Sequence, residues 1–111
     1  MKGALIAVLF ASSLFAADEA QLAKGKQVFD YWCATCHGPE LPGTIALATK
    51  YKGAKPALLE ERKDLPAVVT KTFVRKGVSI MPFFRKTEIS DADLDALAAY
   101  VARNAGARTA K

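Results

Sequence analysis

A small all-α fold is the class this sequence predicts, and three features predict it. Apolar residues recur at three- and four-residue steps near both ends of the chain. Prolines and glycines divide the middle into short helical pieces, and nothing reads as a convincing strand. The length of 111 residues, 51% of them hydrophobic, holds one core rather than two.

The opening residues, MKGALIAVLFASSLFAA, carry one lysine, an apolar run from Ala4 to Phe10 and small residues at Ala16 and Ala17. That is the order of a secretory signal peptide, so residues 1–17 are expected to be removed, with the cut after Ala16 or Ala17, leaving a domain over 18–111. The apolar run falls short of the ~20 residues a bilayer span needs, so no span is expected in the mature chain. Export places the domain in the periplasm. Losing the leader removes Lys2 and no acid, which leaves 15 basic and 11 acidic residues, a formal +4. With no run of Lys and Arg, that modest excess indicates no nucleic-acid role.

From Ala20 to Trp32 the spacing of Leu22, Gly25, Val28, Phe29 and Trp32 predicts a helix, with Asp18 and Glu19 at its positive end. Pro39, Pro42 and Gly43 enforce a loop. IALATKYKG then reads as a short helix ended by Gly53, and PALLEERKD as a helical turn opened by Pro56. Asp64 and Pro66 mark the start of a third helix, with Val69 and Phe73 on one face and Gly77 as its stop. VSIMPFFRK follows as an extended loop, because Pro82 biases Met81 away from helix. In the last helix Ser90 and Asp93 resemble a capping box, Leu94, Leu97, Tyr100 and Val101 form one stripe, and Gly106 is placed for the C-cap.

The chemistry concentrates in YWCATCHGP, residues 31–39, which hold both cysteines and the single histidine. Cys33 and Cys36 share one face of a helical turn, so both sulfurs can reach the two vinyl groups on one haem edge, and His37 projects toward the iron. CxxCH is the attachment pattern of c-type haem. A redox dithiol would follow a strand in a βαβ context, and a zinc knuckle needs four ligands; this chain offers neither. A haem also answers an energetic need. A domain of about 95 residues has a marginal core. Burying several hundred Å² of macrocycle at ~25 cal/mol/Å² contributes on the order of 10 kcal/mol.

On the other side of the iron the candidate is Met81, the one methionine left after cleavage, on a loop where it can aim its thioether. A lysine or an open site is the alternative. His/Met ligation favours reduced iron and suits electron transfer. His37 then needs an acceptor for Nδ1–H, expected from a carbonyl of the Pro39–Pro42 loop.

The order of N-terminal helix, CxxCH, proline loop, Met-Pro loop and capped C-terminal helix resembles the class I cytochromes c. Gly25, Phe29 and Cys33 repeat that family's GxxxF spacing before the haem motif. The resemblance implies that the terminal helices pack across each other at Gly25, with Leu97 and Tyr100 opposite. KGKQVFDYWC, YKGAKPALLEER and KTFVRKGVSIMPFFRKTEISDADLDALAAYVAR further resemble the cytochrome subunits of alkylphenol-oxidising flavocytochromes, the p-cresol methylhydroxylase (4-cresol dehydrogenase) type, from about Lys24 to Arg103. That likeness implies a flavoprotein partner with covalent FAD, and onward transfer to a periplasmic copper protein or another cytochrome. The chain itself has no FAD motif and no catalytic dyad, so any enzyme name would come to it as a subunit. A diffusing shuttle between respiratory complexes is the alternative. The partner surface is expected at Phe83, Phe84 and Arg85, an apolar patch with a basic rim beside Met81.

Overall fold

A computed structural model describes residues 19–105. The expected leader, Asp18 and the expected C-cap at Gly106 lie outside the described residues. The helices in chain order are α1 (residues 19–28), α2 (Ala34–His37), α3 (Pro42–Tyr51), α4 (Ala67–Lys76) and α5 (Asp91–Ala102). A π-helical turn, Phe29–Cys33, joins α1 to α2, and a 3-10 turn, Leu59–Glu61, lies between α3 and α4. Among the described residues there is no strand, only one antiparallel bridge between Val78 and Met81. The fold is all-α.

The first and last helices cross at Gly25. A Cβ built there would fall inside contact distance of the Ala96 carbonyl and 2.6 Å from Tyr100 Cβ. One turn on, the Phe29 ring meets Tyr100 edge-on, 5.8 Å between centroids and 85° between planes. The stripe expected on α5 is buried along its length at Leu94, Leu97, Tyr100 and Val101, and it joins Val28, Phe29, Val74 and Ile89 in the interior. Ser90 caps α5 by accepting from the Asp93 N–H at 3.1 Å. The reciprocal half of the box is not made: the Asp93 carboxylate turns to Lys24 at 3.8 Å.

Several expectations for the middle of the chain change, beginning with Pro42 and Gly43, which open α3 rather than lie in a loop. The PALLEERKD segment forms only the short 3-10 turn, and α3 ends at Tyr51 because Lys52 itself turns left-handed at φ +50° ahead of Gly53. In α4, Val74 is the buried residue, while Phe73 is exposed and Val69 half-buried. The reason is the partner: α4 packs along α5, and the side facing α5 is the one that carries Lys71, paired with Asp95 at 2.6 Å, and Val74.

The segment between α3 and α4 is tied down by polar contacts. Arg62 is buried at 4% exposure, donating to Asp64 Oδ1 at 2.6 Å and to the Tyr51 hydroxyl at 2.7 Å. The Arg62 guanidinium holds the Asp64 carboxyl down at about 2. On the other side, Tyr100 OH donates to the Glu60 carboxylate, and Arg103 and Asn104 both donate to the Glu60 carbonyl at 3.1 Å. These bonds clasp the 3-10 turn to the end of α5.

Gly25→Ala should therefore destabilise the protein by about 1–3 kcal/mol through overpacking, although alanine is the better helix former by about 1 kcal/mol. The denaturant midpoint measures it; an unchanged or raised midpoint would mean the helices are free to separate.

Candidate haem site

The CxxCH motif is delivered by a widened turn. The Ala34 N–H donates to the Phe29 carbonyl, five residues back, so the helix carries an extra residue per turn just before the motif. A regular helix through Trp32 was the expectation from spacing. The widening lets Phe29 face Tyr100 while Trp32 and Cys33 reach the core from another side, Trp32 packing edge-on against Phe84 at 5.8 Å.

Cys33 is half-buried against the core and Cys36 is exposed on α2, and the two are not joined in a disulfide. Burial, and then the neighbouring Cys36, push the Cys33 thiol up to about 12. The attacking thiol of a redox dithiol needs a lowered value, and Cys33 moves the opposite way. Among the described residues no group of three His, Cys, Asp or Glu is placed to hold a metal ion, which leaves a zinc knuckle without its ligands.

His37 closes α2, and α3 starts directly against it. A Cβ on Gly43 would lie 2.7 Å from the Cys36 carbonyl and 3.3 Å from His37 Cε1, so only glycine permits this approach. Burial lowers the imidazole pKa and keeps the ring neutral, the form that ligates a metal. Among the described residues, His37 Nδ1 is the one buried side-chain nitrogen or oxygen without a hydrogen bond. The expected carbonyl of the Pro39–Pro42 loop does not accept from it. Two nearby carbonyls serve other donors: that of Leu41 accepts from Ile45 at 2.9 Å, and that of Gly38 accepts from Leu41 N–H and from Thr44 Oγ1, the latter at 2.7 Å.

The Met81 loop is tighter than the extended stretch expected from Pro82. Val78 and Met81 exchange both main-chain hydrogen bonds, at 3.1 and 2.9 Å, around a left-handed Ser79. Gly77 holds the loop against the end of α4. Its φ is +71°, and a Cβ there would lie 2.9 Å from the Met81 carbonyl and 3.0 Å from the Phe83 nitrogen. Phe84 N–H then donates to the Val74 carbonyl at 2.7 Å. Arg75 donates to the Phe84 carbonyl at 3.2 Å and to Asp91 at 2.9 Å. Sequence reading missed Arg75 and the tightness of Gly77; the glycine signalled only a helix stop. Met81 consequently packs against the same core as Cys33, although they are far apart in the chain.

The candidate partner residues separate. Phe84 turns inward onto Trp32 and the core, because consecutive side chains of an extended stretch point to opposite sides and both its main-chain groups are tied to α4. Its place in an exposed collar is corrected. Phe83 is 59% exposed, Arg85 is exposed and pairs with Glu88 at 3.4 Å, and Ile80, not singled out from the sequence, is 76% exposed.

Two thiols, a neutral histidine with one nitrogen sealed inside the protein, and a methionine on a shared apolar core with Trp32, Leu59, Leu65 and Phe84 fit a covalently bound haem. The matching family agrees: residues 20–101 match the model described as cytochrome c oxidase, cbb3-type, subunit III, and the chain belongs to that family of cytochrome c domains. Similar proteins include the cbb3-type cytochrome c oxidase subunit CcoP of Azospirillum sp. (strain B510), 36% identical over 90 residues, covering 78% of this chain and 29% of that one. The 4-cresol dehydrogenase (hydroxylating) cytochrome c subunit of Pseudomonas putida is 31% identical over 83 residues, 75% of this chain and 62% of that one. Cytochrome c6 of Diacronema lutheri is 34% identical over 85 residues, 77% of this chain and 98% of that one. The chain thus spans under a third of the CcoP subunit and less than two thirds of the cresol dehydrogenase subunit. No solved structure matches. The protein is a c-type cytochrome, an electron carrier with a covalently bound haem. Among the described residues no helix is long and apolar enough to cross a membrane.

Gly77→Ala should cost about 1–3 kcal/mol, from the strained φ together with the crowding against Met81. Gly53→Ala, at φ +84° with open space around it, is the control that carries the strain alone. Equal denaturant midpoints for the two variants would show that Gly77 does not hold the loop.

Proposed function

We propose that Cys33 and Cys36 attach the haem by thioether bonds, and that His37 and Met81 are its axial ligands. We further propose that the chain is the electron-accepting subunit of a periplasmic flavoprotein system that oxidises 4-alkylphenols such as p-cresol. The observation that carries the ligand set is the pinning of Met81 onto the core that Cys33 also contacts. When bound, the haem supplies a one-electron couple, which a His/Met ligand pair biases toward the reduced state. His37 contributes a neutral ring kept so by burial, and Met81 a soft sulfur donor on a loop that three hydrogen-bonded residues hold still. Trp32, Leu59, Leu65 and Phe84, which pack on the same core as Cys33 and Met81, would shield a bound haem from water and so favour one-electron exchange over side reactions.

The flavoprotein reading is supported by the likeness of the segments around Met81 to the alkylphenol flavocytochromes and by the Pseudomonas putida relative. Phe83 and Ile80 beside Met81, with Arg85 near them, provide the apolar core and basic rim of a stable interface. Onward transfer would go to a periplasmic copper protein or another cytochrome. A second reading, a freely diffusing shuttle, has its own support, since a cytochrome c6 is matched over nearly its whole length.

Holo-protein made in a host with c-type haem maturation tests the ligand set. Cys33→Ala with Cys36→Ala should yield no haem that survives acid–acetone extraction. Met81→Ala should keep the haem, lose the weak near-infrared sulfur–iron band and lower the potential. An unchanged band and potential would assign the sixth position to another residue. A pull-down from the native periplasm should bring down a flavoprotein, and Phe83→Ala should weaken that complex by about 1–3 kcal/mol. Recovery of the cytochrome alone would favour the shuttle.

A further inference from the structure

Met81 sits midway along a stretch of chain that leaves α4 and comes back to it. The chain leaves at Gly77, whose N–H donates to the Phe73 carbonyl at 2.7 Å, and returns at Phe84, whose N–H donates to the Val74 carbonyl at 2.7 Å. The Val74 carbonyl is one of those a helix end leaves without an intrahelical donor, so the returning chain completes the last turn of α4. The near side of the loop is stiffened by the paired Val78 and Met81. On the far side Pro82 has no N–H to give, and the hold depends on Phe84.

One side chain reaches that far side from α4. The Arg75 guanidinium donates through one terminal nitrogen to the Phe84 carbonyl at 3.2 Å and through the other to Asp91 Oδ1 at 2.9 Å. Asp91 is the first residue of α5, and its second oxygen takes Lys86 at 3.2 Å. The Arg75 bond, and after it the Lys86 bond, hold the Asp91 carboxyl below its ordinary value and keep it ionised. A single planar group therefore joins the last turn of α4, the end of the Met81 loop and the start of α5. A lysine in its place would be a point charge without the fork that fixes two acceptors in two directions. The Arg75 side chain is 23% exposed against 43% for Lys71 and 74% for Lys86, so its bond to the carbonyl is the better sheltered from water.

Bracing of two helices does not by itself account for this arrangement. Lys71 and Asp95 already join α4 to α5 at 2.6 Å, and Val74 is buried between them. An exposed ion pair more would add little. What Arg75 adds is the hold on the Phe84 carbonyl, three residues beyond Met81, which no other side chain among the described residues takes.

We propose that Arg75 is the positioning residue for Met81: by holding the Phe84 carbonyl it fastens the far side of the loop and keeps the thioether at the iron. The inference rests on the reading of Met81 as an axial ligand and deepens it. A thioether is a soft donor, better matched to ferrous than to ferric iron, so the protein has to supply the hold in the oxidised state. A carrier that keeps the same ligands in both states reorganises little at each transfer. Arg75 acts by limiting how far Phe84, and Met81 with it, can swing away from the core. The Phe84 ring against Trp32 opposes the same movement from inside.

The probe is cyanide, added in excess to ferric holo-protein, where it binds the iron only after Met81 has left. At saturating cyanide the observed rate is the rate at which the loop opens, followed by the loss of the near-infrared sulfur–iron band. Arg75→Gln should open on the order of tenfold faster, because a charge-assisted bond to the loop is lost. Arg75→Lys should also be fast, since it restores the charge beside Asp91 but not the fork. Lys71→Gln breaks the other α4–α5 pair and should stay within about twofold of the wild type. A wild-type opening rate in Arg75→Gln would overturn the proposal. So would an equal acceleration in Lys71→Gln at a matched denaturant midpoint, which would make the effect one of helix packing. If Arg75→Gln yields no folded holo-protein, Arg75→Lys decides, and a wild-type rate there overturns the proposal. Met81→Ala separates the two readings. A band that survives it overturns the ligand reading and this proposal with it, whereas a band lost there beside wild-type opening in Arg75→Gln overturns this proposal alone.

Discussion

The approach of the first helix to the last at Gly25 is the constraint from which the rest of this structure follows. With no side chain there, the Ala96 carbonyl and the Tyr100 Cβ come close enough that even a methyl group would force them apart. That approach sets Phe29 against Tyr100, and the Phe29 position in turn sets where the π turn must begin. The wide turn then carries Cys33 and Trp32 to the core and hands the chain to α2 with His37 at its end. A single small residue thus fixes the frame in which the haem motif is presented.

A second chain of dependence starts from α5. Its stripe gives α4 a surface to pack on, and the end of α4 at Gly77 anchors the turn that carries Met81. The side chains that meet Met81 and Cys33 are few, and the fully buried large ones among the described residues are Phe29, Ile89 and Leu97. A core this small gives a short domain little to spare, so an apolar macrocycle bound covalently contributes to folding as well as to chemistry.

Electrostatics divide the surface by role. Along α4 and α5, exposed acids and bases pair off, and such pairs add at most about 1 kcal/mol each. Their more useful effect is to leave that side near neutral, so that the apolar Ile80 and Phe83 govern contacts there. Between α3 and α4 the buried Arg62 is tolerated because Asp64 and Tyr51 satisfy it.

The sequence by itself determined the class, the haem motif and the two end helices, because each is written in local terms: 3.6-residue periodicity, a Ser90 cap, a three-residue cysteine spacing with histidine next. The GxxxF spacing made the Gly25 crossing legible too, through likeness to a family. What only the tertiary structure decided were matters of direction. The π turn at Phe29–Cys33 arises because two flanks of one helix must satisfy different neighbours, a demand no local pattern records. Phe83 and Phe84 are the same residue type side by side, and the hydrogen bonds from Phe84 N–H to the Val74 carbonyl and from Arg75 to the Phe84 carbonyl go with the inward turn of Phe84. His37 Nδ1 has no loop carbonyl as its partner, while the Leu41 carbonyl of that loop accepts from Ile45 at the start of α3. In each case spacing names the residues that can act, while competition among neighbours for the same space and the same hydrogen bonds decides which of them do.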